Sequence, residues 1–245
     1  MKQVIYTIES NRPIADGVYE LRLSGDTSAI VRSGQFVEIA LEGFFLRRPI
    51  SVHDCSEGCL TLIYKVVGKG TDALAAMQAG EKLDLLTGLG NGFDASRCRQ
   101  GALLVGGGVG VAPLLLLARE LRASGKEVTA VLGFNRAGEV FGAEELGAIG
   151  VKTVVCTADG SLGVKGFVTA AFPQAAEGCD YMYICGPTPM VKPLLGTCGL
   201  AGEVSMEERM GCGVGICYGC TCQTVNGPAR VCKDGPVFKR EELVW

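Results

Sequence analysis

Hydrophobic and polar residues alternate along the N-terminal part of the chain. The pattern is clearest in Val18–Leu23 and Phe36–Ala40, and glycines recur between such runs. Because neighbouring side chains of a strand point to opposite faces, this alternation predicts half-buried strands joined by turns. Residues from about Lys2 to Gly92 are therefore expected to form an antiparallel β-barrel or sandwich.

The central part of the chain follows a different pattern, in which short, largely apolar runs alternate with segments that can be helical. These runs are Ala102–Val105, Val128–Leu132, Val151–Cys156 and Tyr181–Ile184. Apolar strands separated by helices are typical of a parallel sheet that is covered on both faces. We therefore expect an α/β doubly wound domain over about Gly101–Glu203, with its first helix at Val111–Ala123.

The C-terminal segment, Ser205–Trp245, is rich in glycine and cysteine and shows no periodicity. A segment this short cannot build a useful core alone, so another interaction must hold it together. The predicted division is a barrel at residues 1–98, an α/β domain at 99–204 and a small Cys-rich domain at 205–245.

Composition narrows the class of protein. The chain has 245 residues, of which 48% are hydrophobic, and a formal net charge of −3. A large core is therefore expected, and nothing suggests a nucleic-acid or membrane partner. Met1–Tyr6 shows no signal-peptide pattern, and the apolar run Val109–Ala118 is too short to span a bilayer. These features predict a soluble, intracellular protein.

Five of the twelve cysteines crowd into the C-terminal segment. Cys212, Cys217 and Cys220 have the spacing C-x4-C-x2-C, and Cys232 follows. This is the plant-type ligand spacing of a 2Fe–2S cluster, whereas a zinc ribbon prefers two C-x2-C pairs. Cys222 is interpreted as a small buried side chain, although it could also compete as a ligand.

Two motifs in the α/β part suggest a dinucleotide site. Gly106, Gly107, Gly108 and Gly110 follow a predicted strand and open a helix, where glycines let a pyrophosphate approach backbone N–H groups. Cys185, Gly186 and Pro187 follow the strand Tyr181–Ile184, at the sheet edge where ligands bind. Each motif also has a purely structural alternative. The glycines could form a tight strand-to-helix turn, and Cys185 could be a core thiol that precedes a Gly-Pro turn.

A third group of residues lies in the barrel part. Arg48, Pro49, Ile50 and Ser51 combine charge and hydroxyl groups, and an arginine suits phosphate oxygens. Ile63, Tyr64, Lys65, Gly70 and Thr71 follow on the next predicted strand and turn. Alone these residues are weak indicators, since paired arginines are usually solvated and a tyrosine usually packs.

Together, the three motifs resemble the ferredoxin–NADP reductase superfamily. Ser205–Cys212 and Asp234–Phe238 narrow the resemblance to the electron-transfer subunits of class B dihydroorotate dehydrogenases, over essentially the full length. The resemblance implies that the barrel holds FAD through Arg48–Ser51, Ile63–Lys65, Gly70 and Thr71. It also implies that the glycine turn and Cys185–Pro187 receive NAD, and that Cys212, Cys217, Cys220 and Cys232 hold the cluster.

The resemblance further implies a path for electrons in de novo pyrimidine biosynthesis. Dihydroorotate would be oxidised at the FMN of a separate catalytic subunit, in a cytoplasmic heterotetramer with two copies of each chain. Electrons would cross the cluster singly to FAD, and NAD⁺ would accept a hydride, so no side chain here is expected to act as a general acid or base. The lone histidine, His53, is expected to be structural.

Three alternatives stay open at this point. The chain could be a reductase component that serves an oxygenase or another redox partner, or a non-enzymatic zinc-binding interaction module. The dinucleotide is also open, because Arg136 could meet the 2′-phosphate of NADP whereas Glu139 argues for NAD.

Overall fold

The computed structural model describes residues 1–245, and its N-terminal strands close into an antiparallel barrel. The strands are β1 Lys2–Ala15, β2 Val18–Ser24, β3 Phe36–Ile39, β4 Arg48–Ser56, β5 Cys59–Lys65 and β6 Lys82–Leu89, with helix α1 at Lys69–Ala76. They pair in the order β1-β2-β5-β4-β3-β6, and β6 pairs back onto β1. Inward side chains such as Leu21, Val37 and Leu62 are fully buried. The predicted antiparallel barrel is confirmed.

A parallel sheet follows the barrel. Its strands are β7 Gly101–Gly107, β8 Glu127–Phe134, β9 Lys152–Thr157, β10 Val164–Lys165, β11 Tyr181–Cys185 and β12 Ala201–Ser205, and its helices are α2 Leu114–Ala123, α3 Ala143–Ala148, α4 Val168–Ala175 and α5 Thr188–Thr197. The strands run parallel in the order β10-β9-β8-β7-β11-β12. This is the doubly wound arrangement that the apolar runs predicted.

The first helix of this part begins later than expected. The prediction was Val111–Ala123, but α2 starts at Leu114 and a separate 3-10 turn occupies Gly108–Val111. Pro113 is the N-cap of α2, where its missing N–H removes no helical hydrogen bond. Gly106 and Gly107 are the last residues of β7, so the chain turns only at Gly108, which has a φ of +53°.

The C-terminal segment is built onto the sheet. It contains a hairpin, β13 Thr221–Thr224 with β14 Gly227–Arg230, and an edge strand, β15 Val237–Lys239. β15 pairs antiparallel with β12, which extends the sheet to seven strands. Phe238 and Leu243 are buried in the same apolar cluster as Val204. The segment therefore gains its core from the α/β part.

Contacts between the barrel and the rest of the chain fix their arrangement. The Ser33 hydroxyl donates to the Glu120 carboxylate at 2.9 Å, which joins the barrel to α2. The Asn91 side chain donates to the Val237 carbonyl at 2.7 Å and accepts its N–H at 3.1 Å. None of the helices has the length and apolar character needed to cross a membrane.

Candidate functional site

A cavity of about 720 Å³ lies where the barrel, the α/β part and the C-terminal segment meet. The barrel lines it with Arg48–Ser51, Ile63–Lys65 and Thr71, which are residues that the sequence indicated for FAD. Gly110 and Cys185, from the α/β part, line it as well. The structure thus brings residues predicted for FAD and two of the residues predicted for NAD to one cavity.

Arg48 and Gly70 are in close contact at one end of the cavity. A Cβ at position 70 would overlap the Arg48 guanidinium, so only glycine leaves that side chain in place. The same guanidinium lies over the Phe44 ring, 4.8 Å from its centroid. Gly70 itself does not line the cavity, and its role here is to make room for Arg48.

The turn before α1 offers donors beside Arg48. The Thr71 hydroxyl accepts the N–H of Val67 at 2.9 Å and donates to the Gly68 carbonyl at 3.0 Å, which holds this turn in shape. A helix N-terminus and an arginine together form a suitable site for phosphate groups. Arg48 and this turn therefore supply the kinds of group that would hold the pyrophosphate of FAD.

Ile63, Tyr64 and Lys65 follow one another along β5, and each has a structural role as well. Tyr64 is buried, donates to the Asn11 side-chain oxygen at 2.9 Å and stacks on Tyr19. Burial raises the pKa of Tyr64 to about 12, so its hydroxyl stays protonated. Lys65 approaches Glu139 at 3.6 Å.

The glycine turn contacts the Cys185 segment directly. A Cβ at Gly110 would overlap the carbonyl group of Cys185, so the two chain segments approach as closely as only glycine allows. Cys185 is buried, and burial raises the pKa of its thiol far above the usual range. Gly106 and Gly186 line neither cavity; a Cβ at Gly106 would overlap Val111, and one at Gly186 would overlap Met190.

A second cavity, of about 310 Å³, lies beside the glycine turn. Gly107, Gly108 and Pro187 line it, together with Asn135 and the exposed ring of Phe167. Of the residues predicted for NAD, Gly110 and Cys185 thus line the large cavity, whereas Gly107, Gly108 and Pro187 line the second one.

Arg136 and Glu139 both have partners within the chain. Arg136 pairs with Asp16 of the barrel at 3.3 Å. Glu139 accepts the Asn135 side-chain N–H at 2.9 Å, and its contacts with Asn135, Lys65 and Arg136 outweigh burial and lower its pKa. Arg136 is therefore engaged with a carboxylate, although its side chain is largely exposed.

The four predicted cluster ligands form two pairs of thiols. The thiol of Cys212 accepts N–H groups of Ile216 and Cys217, at 3.3 and 3.4 Å. The thiol of Cys220 accepts the N–H of Cys232 at 3.4 Å. No three Cys, His, Asp or Glu side chains converge as ligands of a single ion. Two irons bound by two thiolates each suit the observed pairs.

Backbone groups favour a thiolate at the start of this loop. Burial opposes ionisation of Cys212, but the N–H groups of Cys217, Val214 and Ile216 lower its pKa to about 6. A Cβ at Gly211 would lie 3.2 Å from the Cys217 sulfur, so small residues leave space around the thiols. The donor set and its surroundings fit an iron–sulfur cluster.

Cys222 lies in β13, half-buried against the core.

One set of site residues was not predicted. Ser205–Met210 leave β12 and line the wall of the large cavity on the way to Cys212. The sequence contains this motif, but its pattern alone assigns none of its side chains to a site. Its position after a strand of the parallel sheet is the signal that would have found it.

Comparisons with known proteins agree with this arrangement. Residues 207–244 match the family model described as the iron-sulfur cluster binding domain of dihydroorotate dehydrogenase B. A relative from Bacillus pumilus (strain SAFR-032) is 43% identical, and the match covers 99% of this chain and 98% of the relative. One from Fusobacterium nucleatum is 42% identical, with 97% and 96% covered. Both are named electron transfer subunits of dihydroorotate dehydrogenase B (NAD(+)).

Solved structures give the same picture of the fold. An NADH-dependent reduced ferredoxin-NADP oxidoreductase, studied for flavin-based electron bifurcation, superposes with a TM-score of 0.88 and 32% identity, covering 98% of this chain and 90% of that one. A ferredoxin NADP+ reductase from Neisseria gonorrhoeae, at 19% identity, shares the fold with a TM-score of 0.69 over 80% of this chain and 90% of that one.

Two findings decide the family of this chain. Its relatives are similar along almost the entire chain, and the cluster-domain match covers the paired cysteines. The chain belongs to the family of electron transfer subunits of the NAD(+)-dependent dihydroorotate dehydrogenase B.

Proposed function

We propose that this chain carries electrons between a dihydroorotate-oxidising partner subunit and NAD⁺ in pyrimidine synthesis. The observation that carries the proposal is the shared cavity. Arg48–Ser51, the Gly110–Cys185 contact and Ser205–Met210 all line it, and the last of these leads directly to Cys212. FAD in this cavity would lie between the dinucleotide site and the segment Cys212–Cys232, here called the cysteine loop.

The electron count supports this order of cofactors. FAD would exchange two electrons with a nicotinamide as a hydride and one at a time with an iron–sulfur cluster. The residues of this chain bind the cofactors and orient them. Arg48 and the turn before α1 hold phosphate, and the two thiol pairs hold the two irons. Cys185 is buried and stays protonated, so it acts neither as a base nor as a nucleophile.

The cysteine loop also suggests where the partner binds. Cys217 is exposed between two exposed hydrophobic residues, Ile216 and Tyr218. Exposed apolar groups beside a redox ligand are suited to a protein interface. The proposed partner is the FMN-containing catalytic subunit of dihydroorotate dehydrogenase, in a cytoplasmic heterotetramer with two copies of each chain.

The division of labour follows the three parts of the sequence. We assign FAD to residues 1–98, NAD to 99–204 and the 2Fe–2S cluster to 205–245. The last two share a sheet, since β15 pairs with β12. NAD is preferred over NADP because the curated relatives carry NAD(+) in their names and Arg136 is paired with Asp16.

The test combines spectroscopy with copurification. Anaerobic titration of the purified, cofactor-loaded chain with NADH should bleach the flavin absorption and then reduce the cluster, seen by electron paramagnetic resonance. Tagged chain should capture an FMN-containing subunit that oxidises dihydroorotate. Capture of an oxygenase or a ferredoxin-dependent enzyme instead would favour the reductase-component alternative.

A further inference from the structure

Glu38 is a buried carboxyl group on the outer face of the barrel. It lies in the middle of β3, where its strand neighbours are Pro49 of β4 and Leu86 of β6. Its side chain is only 1% exposed. Alternation along β3 would place this residue in solvent, as Val37 and Ile39 fill the barrel interior. Another part of the chain must therefore cover it.

The cover is the first turn of the cysteine loop. A Cβ at Gly213 would overlap the carboxyl group of Glu38, so the glycine backbone rests directly on this side chain. Gly213 has a φ of +67°, a conformation that also favours glycine, and it follows Cys212 in the chain. Glu38 is thus held between the FAD-binding barrel and the start of the cysteine loop.

The carboxyl group has no hydrogen-bond partner within the chain. Both of its oxygens are buried and unpaired. The nearest candidate, Arg47, pairs with Asp84 at 2.9 Å and reaches only the backbone carbonyl of Glu38. Burial raises the pKa of Glu38 to about 7, with Arg47 opposing this and Cys212 adding to it. A lone buried carboxyl is costly, and its charge acts with little screening on whatever the adjacent cysteine residues hold.

We propose that Glu38 is a positioning residue that sets the reduction potential of the cluster from the barrel side. It is not a ligand and acts through space across the Gly213 turn. A negative charge at a poorly solvated place makes the addition of an electron next to it less favourable. Glu38 therefore holds the potential lower than the cysteine loop alone would set. The inference rests on the proposed function, because it needs a cluster at Cys212.

The experiment replaces the charge without changing the shape. Glu38→Gln is compared with Glu42→Gln, which removes the same charge from an exposed position four residues along the chain. Glu38→Asp keeps the charge and shortens the side chain. The measurement is a mediator titration of the cofactor-loaded chain at pH 8.5, followed by electron paramagnetic resonance of the reduced cluster and by iron content.

In the Glu38→Gln variant, we expect the ratio of reduced to oxidised cluster at a fixed solution potential to rise about tenfold. A tenfold change corresponds to about 59 mV for a one-electron couple. Glu42→Gln should leave the ratio unchanged, and Glu38→Asp should stay closer to the parent than Glu38→Gln.

Two results would overturn the inference. One is an unchanged potential in Glu38→Gln with full iron content. The other is cluster loss from Glu38→Gln, with or without loss from Glu38→Asp, because a side chain that only tunes the potential is not needed to hold iron. Absence of a cluster from the parent chain is a different failure, because it would reject the proposed function itself.

Discussion

The imidazole of His53 donates a hydrogen bond from Nδ1 to the backbone carbonyl of Ala112 at 2.7 Å. His53 lies on β4 of the barrel, and Ala112 lies in the α/β part, just before α2. The ring is almost completely buried, and its Nε2 lies 3.6 Å from Glu145. The chain's one histidine therefore joins two parts of the fold and lies at neither the thiol pairs nor the Arg48 site.

Replacing His53 by alanine should destabilise the protein by about 1–3 kcal/mol, because the buried carbonyl of Ala112 loses its donor. Urea unfolding of the flavin-loaded chain, followed by circular dichroism, measures this. Glu145→Gln, which changes only the longer contact, should cost less. Equal stability of His53→Ala and the parent would show that the hydrogen bond contributes nothing.

The two thiol pairs predict which cysteines are required for iron. Cys217→Ser and Cys220→Ser each remove one thiolate from a pair, so we expect loss of most of the iron and of the visible cluster absorption. Cys222→Ser is the matched control, because Cys222 packs against the core from β13 and should leave iron content unchanged. Full iron in either of the first two variants would contradict the assigned ligands.

The contact between Gly70 and Arg48 predicts a specific loss of flavin. Gly70→Ala should displace the guanidinium and weaken FAD binding by about tenfold to a hundredfold, the value of one charge-assisted hydrogen bond. Gly147→Ala, in α3 and outside the cavity, is the control, since a Cβ there also meets no atom within 4 Å. FAD retention after dilution, read from flavin fluorescence, distinguishes the two. Equal retention would show that Arg48 does not hold the cofactor.

Glu203 predicts how stability depends on pH. Its carboxylate is buried on β12 and accepts the N–H of Asp94 at 2.9 Å, and burial raises its pKa. A carboxyl whose pKa is higher in the folded state binds its proton more tightly there. Its contribution to stability is thus fully present below the unfolded-state pKa and is lost as pH rises through the folded-state pKa.

Glu203→Gln should remove that loss, because an amide stays neutral and can still accept the Asp94 N–H. The melting temperature of the loaded protein, measured from pH 4.5 to 8, should therefore fall less steeply in the variant than in the parent. The exposed Glu241→Gln serves as the control and should leave the slope unchanged. A parallel shift of the Glu203→Gln curve, with the same slope, would argue against this account.

The exposed side chain of Ile216 predicts the partner interface. Ile216→Asp should weaken assembly with the catalytic subunit by at least about tenfold, since a charge buried in an interface must lose its water. Iron content should stay unchanged, because Ile216 contacts Cys212 through its backbone N–H. Val225→Asp places the same charge on another exposed residue, in the β13–β14 turn. Analytical ultracentrifugation of the mixed subunits gives the comparison, and equal affinity of both variants would place the interface elsewhere.

Periodicity predicted those parts of the fold whose partners are close in sequence or repeated in type. The alternation in β2 predicts a strand that is buried on one face, and the apolar run in β7 predicts one that is buried on both. The barrel and the parallel sheet follow from these two patterns. The start of α2 was misplaced, because the Gly108–Val111 turn is shaped by the distant Cys185. No local pattern could give that contact.

The candidate site shows the same limit. Cysteine spacing alone predicts the ligands, since the loop that connects them is local. The burial of Glu38 is not predictable in this way, because a polar residue in an alternating strand normally faces water. It is covered by Gly213, far along the chain, and only the folded arrangement shows this contact.

The pairing of β15 with β12 has a consequence for cluster repair. The cysteine loop leaves the sheet at one strand and returns at its neighbour, so its two ends stay tethered even when iron is lost. A closed loop samples far fewer conformations than a free tail, and the cost of reordering it is correspondingly smaller. Oxidative loss of iron would then leave a scaffold that can be refilled in place, without refolding of the sheet.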